Sequence, residues 1–156
     1  MLNTLLMVDD WEDDILLTKR ALVRAGVRCR MVSCQSGENA LEYLSGTGLY
    51  RDRRVHPLPE LILLDIKLPG LDGFEVLKWL RSQAFLKTLP VVMLTHSDEP
   101  KDVARAYHAG ANSYLVKPIN FEQLERNLPQ LVDYWLNINT APSRLTPIFD
   151  SNNNGF

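Results

Sequence analysis

The 156-residue sequence is short of several things. Its only cysteines are Cys29 and Cys34, five positions apart. On one strand such side chains face opposite sides and cannot bridge. A disulfide framework is therefore excluded, and two unpaired thiols fit a cytoplasmic setting. No apolar run approaches the length that spans a bilayer, so no membrane association is expected. The opening MLNTLLMVDD lacks a charged n-region and a cleavage site, and no export signal is expected. Seventeen basic against nineteen acidic residues leave a net charge of −2, with no basic field to draw nucleic acid. No internal repeat is visible. What is present is an ordinary globular composition, 46% hydrophobic and 23% charged, at a length suited to one domain with a real core.

Strands and helices alternate along the chain. Residues 4–8 form an apolar run of strand length, followed by the acidic stretch DDWEDD. In ILLTKRALVRAG, Ile15, Leu22 and Val23 recur at helical spacing, and Gly26 stands where a glycine would stop the helix. CRMVSC reads as a second strand. Ser36 can cap a helix through GENALEYLSG, with Gly46 as its stop. Residues 47–59, with RDRR and two prolines, read as a long solvated loop. LILL is the third strand. A third helix is expected over residues 73–83, with Leu77, Leu80 and Ala84 on one face. PVVML is the fourth strand, and Pro100 suits the first turn of a fourth helix ending at Gly110. SYLV is the fifth strand. Asn120 with Gln123 resembles a capping box opening the fifth helix. The strands are continuous apolar runs, which marks a parallel sheet buried under helices on both faces. A doubly wound α/β fold follows. Residues 1–139 are expected to form the domain, and the polar residues 140–156 a flexible tail.

One stretch carries the chemistry. In LILLDIKLPG a buried strand ends on a carboxylate, Asp65, before a Pro-Gly turn. Open parallel sheets bind ligands beyond the carboxyl ends of their strands. There the sequence places Asp9 and Asp10, Asp65, Thr95 and Lys117. Clustered carboxylates repel unless a cation sits among them. Mg²⁺ takes one or two carboxylates, keeps waters and favours phosphate oxygens. A lysine beside the group offers a point charge for an anion, and an aspartate can itself form an acyl phosphate. Any one of these acids alone would read as a turn former or a helix start. The combination does not.

VDD at the end of the first strand, LLDIKLPGLDG, VVMLT and SYLVKP together resemble the receiver domain of bacterial two-component response regulators, over residues 5–136. The resemblance implies a flavodoxin-like (βα)5 three-layer sandwich around a five-stranded parallel sheet. It implies a signalling protein that accepts a phosphoryl group from a histidine kinase on Asp65, not a conventional enzyme. Asp9, Asp10, Asp65 and the backbone carbonyl of Lys67 would hold Mg²⁺, with Mn²⁺ as an alternative. Lys117 and Thr95 would bind the phosphoryl group, Tyr114 would swing inward as the switch, and Pro118 would follow a cis peptide. The long basic loop and the ending LVDYWLN resemble regulators that partner phytochrome-type kinases.

Other features leave alternatives open. His96 replaces the small residue usual after the threonine. It would either crowd the acyl phosphate and obstruct water or point to solvent. Lys67, two residues after the acceptor, is the other modulating position. His56 and His108 lack partners at metal-ligand spacing. Trp11 is expected to pack at the sheet rim. Phe121, Leu124, Leu128, Leu131 and Trp135 form an apolar stripe interrupted by Pro129, expected to kink the helix or start a new turn. The stripe suggests a homodimer through helix four, strand five and helix five, the alternative being a fold-back on its own monomer. Two competing functions remain: a partner-binding module that is never phosphorylated, and a Mg²⁺-dependent phosphohydrolase working through an aspartyl phosphate. Against the second, Lys67 stands where such enzymes carry a leaving-group acid.

Overall fold

Each apolar run read as a strand forms one. The computed structural model describes residues 2–142. It contains β1 (Thr4–Val8), α1 (Glu12–Arg24), β2 (Arg30–Cys34), α2 (Gly37–Ser45), β3 (Leu61–Leu64), α3 (Gly73–Ser82), β4 (Val91–Thr95), α4 (Pro100–His108), β5 (Ser113–Val116) and α5 (Phe121–Asp133). The strands pair parallel in the order β2-β1-β3-β4-β5. The order reverses at β1, so β1 and β3 flank the switch point where such sheets open a crevice. From residue 143 on, the expected flexible tail lies outside the described residues.

Burial follows from this order. Every residue of β1, β3 and β4 is buried, while the edge strands β2 and β5 are partly exposed. Side chains alternate between two cores. Leu6, Val8, Ile62 and Leu64 pack with residues of α2, α3 and α4. Leu5, Met7, Leu61 and Leu63 pack with α1 and α5. Cys34 belongs to the first core and Cys29 packs against the second, so the two free thiols lie on opposite faces. Burial pushes the Cys34 thiol up to about 12, which keeps it protonated and unreactive.

The caps fall where polar residues precede each helix. Ser36 Oγ accepts from the Asn39 amide at 3.1 Å, and Asp72 and Asn120 cap α3 and α5 in the same way. Gly46 ends α2 at φ 68°, a left-handed conformation that favours glycine.

Three expectations need correction. Helix α3 stops at Ser82, and Ala84 is exposed; Leu86 and Leu89 take its place in the core. The RDRR loop is not wholly solvated. Arg53 is half-buried and donates to Tyr43 O at 2.7 Å, Leu44 O at 2.8 Å and His56 O at 3.1 Å. It thereby satisfies the orphan carbonyls at the end of α2. Pro129 lies inside α5, which continues to Asp133 and passes into a π-helical turn, Tyr134–Ile138. The apolar stripe is largely consumed inside the chain. Leu124 and Leu128 are buried with Val132 and Leu136 in the core that also holds Ile15 and Leu22 of α1, so neither can line a dimer interface. Their spacing of four residues keeps them on one helix face, the face that α1 and the sheet cover. Phe121, Leu131 and Trp135 are only partly buried against it.

Candidate functional site

The parallel register brings the strand ends together. Val8 pairs with Leu64, which sets Asp9 and Asp65 side by side, and the Asp65 amide donates to Val8 O at 3.0 Å. Thr95 pairs with Val116, and the Lys117 amide donates to Thr95 O at 2.7 Å. Asp9, Asp65, Thr95 and Lys117 are all buried. They are the main polar residues inside an otherwise apolar sheet, and polar groups are placed there only with partners.

The local sequence explains how Asp65 is held. Asp72 caps α3, and the Gly73 amide donates to Ile66 O at 2.8 Å, pulling the helix start onto the strand end. A Cβ on Gly73 would fall 2.1 Å from the Asp65 carbonyl oxygen. Only glycine fits, because the chain passes so close to the backbone that carries the carboxylate.

Lys117 reaches from the end of β5 across the sheet. Its Nζ donates to Asp9 Oδ2 at 2.5 Å, Asp14 Oδ2 at 2.9 Å and Asp65 Oδ2 at 3.0 Å. Burial works against this ammonium, but the hydrogen bond to Asp9, the charge of Asp65 and the hydrogen bond to Asp14 outweigh it and hold the group above its ordinary value. Asp9 is raised as well: burial lifts its carboxyl, against hydrogen bonds from Lys117 and the Trp11 amide. One cation serves three acids, so the cation stays charged while the acids compete for it.

Carboxylate oxygens of Asp9, Asp10 and Asp65 lie within 4.8 Å of one another, two of the residues buried and Asp10 exposed. All three donors are hard oxygens, the kind that Mg²⁺ and Mn²⁺ prefer. Asp65 and Thr95 open onto a cavity of about 250 Å³ whose rim includes Lys67, His96, Ser97 and Glu99. Asp65 belongs both to this cavity and to the group of three carboxylates. Thr95 Oγ1 accepts from the Ser97 amide at 3.4 Å. Tyr114 stands one step away: its ring is half-buried against the core, and its hydroxyl donates to Ser97 O at 2.8 Å.

The site therefore gathers Asp9, Asp10, Asp65, Thr95 and Lys117, with Lys67 at the rim and Tyr114 behind the loop. One expectation fails: no peptide bond is cis among the described residues, so Pro118 follows a trans bond. Trans is the favoured form of an X–Pro bond, and Lys117 makes its three contacts from it. His96 stands at the rim of the Asp65 cavity. Its side chain is 58% exposed, yet Nε2 lies 3.2 Å from Asp14 Oδ2 and its ring meets Trp11 edge-on at 6.4 Å. Trp11 itself is largely exposed, not packed. Asp14 is the residue that reading the sequence missed. Its signal was its place one residue before buried Ile15 and four before buried Thr18, on the inner edge of α1.

A family model for the response regulator receiver domain matches residues 5–128. The probable methanogenesis regulatory protein FilR2 of Methanothrix harundinacea is 38% identical over 88% of this chain and 86% of that protein. Response regulator Rcp1 of Synechocystis is 33% identical over 90% of this chain and 94% of that protein. The solved Mn(2+)-bound form of Rcp1 superimposes with a TM-score of 0.81, covering 90% of this chain and 99% of that one. The phosphorylated cyanobacterial phytochrome response regulator RcpA superimposes with a TM-score of 0.84 at 34% identity, covering 92% of this chain and 100% of that one.

Proposed function

The chain belongs to the response regulator receiver family, and from that premise we propose that Asp65 accepts a phosphoryl group from a phytochrome-type histidine kinase. The observation that carries this reading is the triple contact of Lys117 with Asp9, Asp14 and Asp65 beside a metal-sized group of carboxylates. The likeness to Rcp1 and RcpA supports the kinase type.

Asp9, Asp10, Asp65 and the Lys67 carbonyl would hold Mg²⁺, or Mn²⁺ in its place. Bound there, the ion neutralises carboxylate charge and polarises phosphoryl oxygens. A free Asp65 oxygen attacks phosphorus in line. The new O–P bond forms as the P–N bond to the donor imidazole breaks, and the imidazole nitrogen takes a proton from water. Lys117, already 3.0 Å from Asp65, transfers one of its hydrogen bonds to a phosphoryl oxygen. The buried Thr95 hydroxyl turns toward the same group and leaves the Ser97 amide. Its movement loosens the loop to which Tyr114 is tied, and the added charge is read out at α4 and β5. The same face is the homodimer surface in this reading, resting on exposed Tyr107 and Val116 in place of buried Leu124 and Leu128. The setting is cytoplasmic. Among the described residues no helix is long and apolar enough to cross a membrane.

The test is intact-mass spectrometry after incubation with Mg²⁺ and acetyl phosphate. One base-labile phosphoryl adduct is expected on the wild type and none on Asp65→Asn. An adduct that persists in Asp65→Asn defeats the assignment. Sedimentation as a monomer at high micromolar concentration, phosphorylated or not, defeats the dimer.

A further inference from the structure

Three acids open α1, and they do not behave alike. Glu12 and Asp13 are exposed, as acids that merely complement a helix dipole would be. Asp14 turns inward, its side chain only 18% exposed, and its Oδ2 accepts from Lys117 Nζ at 2.9 Å and lies 3.2 Å from His96 Nε2. His96 follows Thr95 directly. Asp14 thus touches the phosphoryl-binding cation and the neighbour of the phosphoryl-binding hydroxyl through one oxygen.

Of the acids around Lys117, Asp9 and Asp65 belong to the group that fits a divalent cation, and Asp14 does not. Asp9 and Asp65 would give oxygens to a metal held there, whose charge would oppose the ammonium. A lysine side chain has a long, flexible stem and loses much rotamer freedom when fixed. Something other than the metal ligands must then keep it aimed. We infer that Asp14 is a positioning residue: its carboxylate anchors the Lys117 ammonium, and with it His96, beside Asp65 when metal and phosphoryl group are bound. The same contact forms one wall of a second cavity of about 250 Å³ between α1 and the start of α5, lined by Asp14, Thr18, His96, Lys117 and Phe121 among others. Loss of Asp14 would let the ammonium swing into that space. This inference rests on the phosphoacceptor reading above.

Calorimetric titration of the full chain separates the two. Mg²⁺ is titrated first, then beryllofluoride, a phosphoryl mimic that needs Lys117. Asp14→Ala is expected to weaken beryllofluoride binding about tenfold, the effect of losing one charge-assisted hydrogen bond. The Mg²⁺ midpoint should change less than about threefold, since Asp14 is no ligand, and the melting temperature of each variant reports folding. Asp14→Glu, which keeps the charge, should recover most of the loss and Asp14→Asn should not. An unchanged beryllofluoride midpoint overturns the inference. So does equal weakening of both titrations, or recovery by Asn equal to that by Glu. A wild type that binds neither ligand brings down the phosphoacceptor reading itself, and this inference with it.

Discussion

Helix α3 buries Gly73, Phe74, Val76, Leu77 and Leu80, whereas α4, in the same layer of the sandwich, buries only Ala106. Both helices leave the site's edge of the sheet. The first follows Asp65, and the second follows the loop that carries Thr95, His96 and Ser97. Burying a leucine side chain contributes about 1.5–3 kcal/mol, so the difference in anchoring is several such contributions. The Asp65 side is fixed by packing. The Thr95 side is held by a few specific contacts: Tyr114 to Ser97 O, Ser97 Oγ to Asp102 Oδ2 at 2.6 Å, and the Arg105 guanidinium 4.1 Å from the centre of the Phe74 ring. A chemical site needs rigid geometry, and a signalling surface needs a low cost of rearrangement.

This contrast can be broken by substitution. Leu77→Ala in α3 removes a fully buried side chain and should cost about 2–5 kcal/mol, read as a lower denaturant midpoint. Half-buried Val103→Ala in α4 should cost under about 1 kcal/mol. Equal costs would erase the distinction. His96→Ala acts on the loop between the helices. Removing the imidazole from the rim of the Asp65 cavity should shorten the half-life of the phosphorylated state about threefold, roughly 0.7 kcal/mol in the barrier. An unchanged half-life would count against a role for that ring. Arg105→Ala, of similar size, acts on a single contact between α3 and α4. It removes the cation over Phe74 and should lower stability by about 0.5–1 kcal/mol, with faster amide exchange in α4 and none of that change in α3.

Much of this was legible in the sequence, for local reasons. Continuous apolar runs named the five strands, Ser36, Asn120 and Pro100 marked helix starts, and Gly26 and Gly46 marked stops. Strand ends with Asp9, Asp65, Thr95 and Lys117 implied a shared site because a parallel sheet brings its carboxyl ends to one edge. The sequence could not say how a side chain would be shared. Asp14 looked like its exposed neighbours Glu12 and Asp13, and only the packing of α1 against α5 turns it toward Lys117. Arg53 looked like Arg51 and Arg54, and only the return of the loop to the end of α2 gives it carbonyls to bind. Leu124 and Leu128 read as an unpartnered stripe, because a helical pattern identifies an apolar face without saying what covers it. Periodicity and caps are properties of neighbouring residues, so composition and order determine them. Which of several like charges is buried, and against which element an apolar face closes, depends on contacts between residues far apart in the chain, and these exist only once the sheet has brought them together.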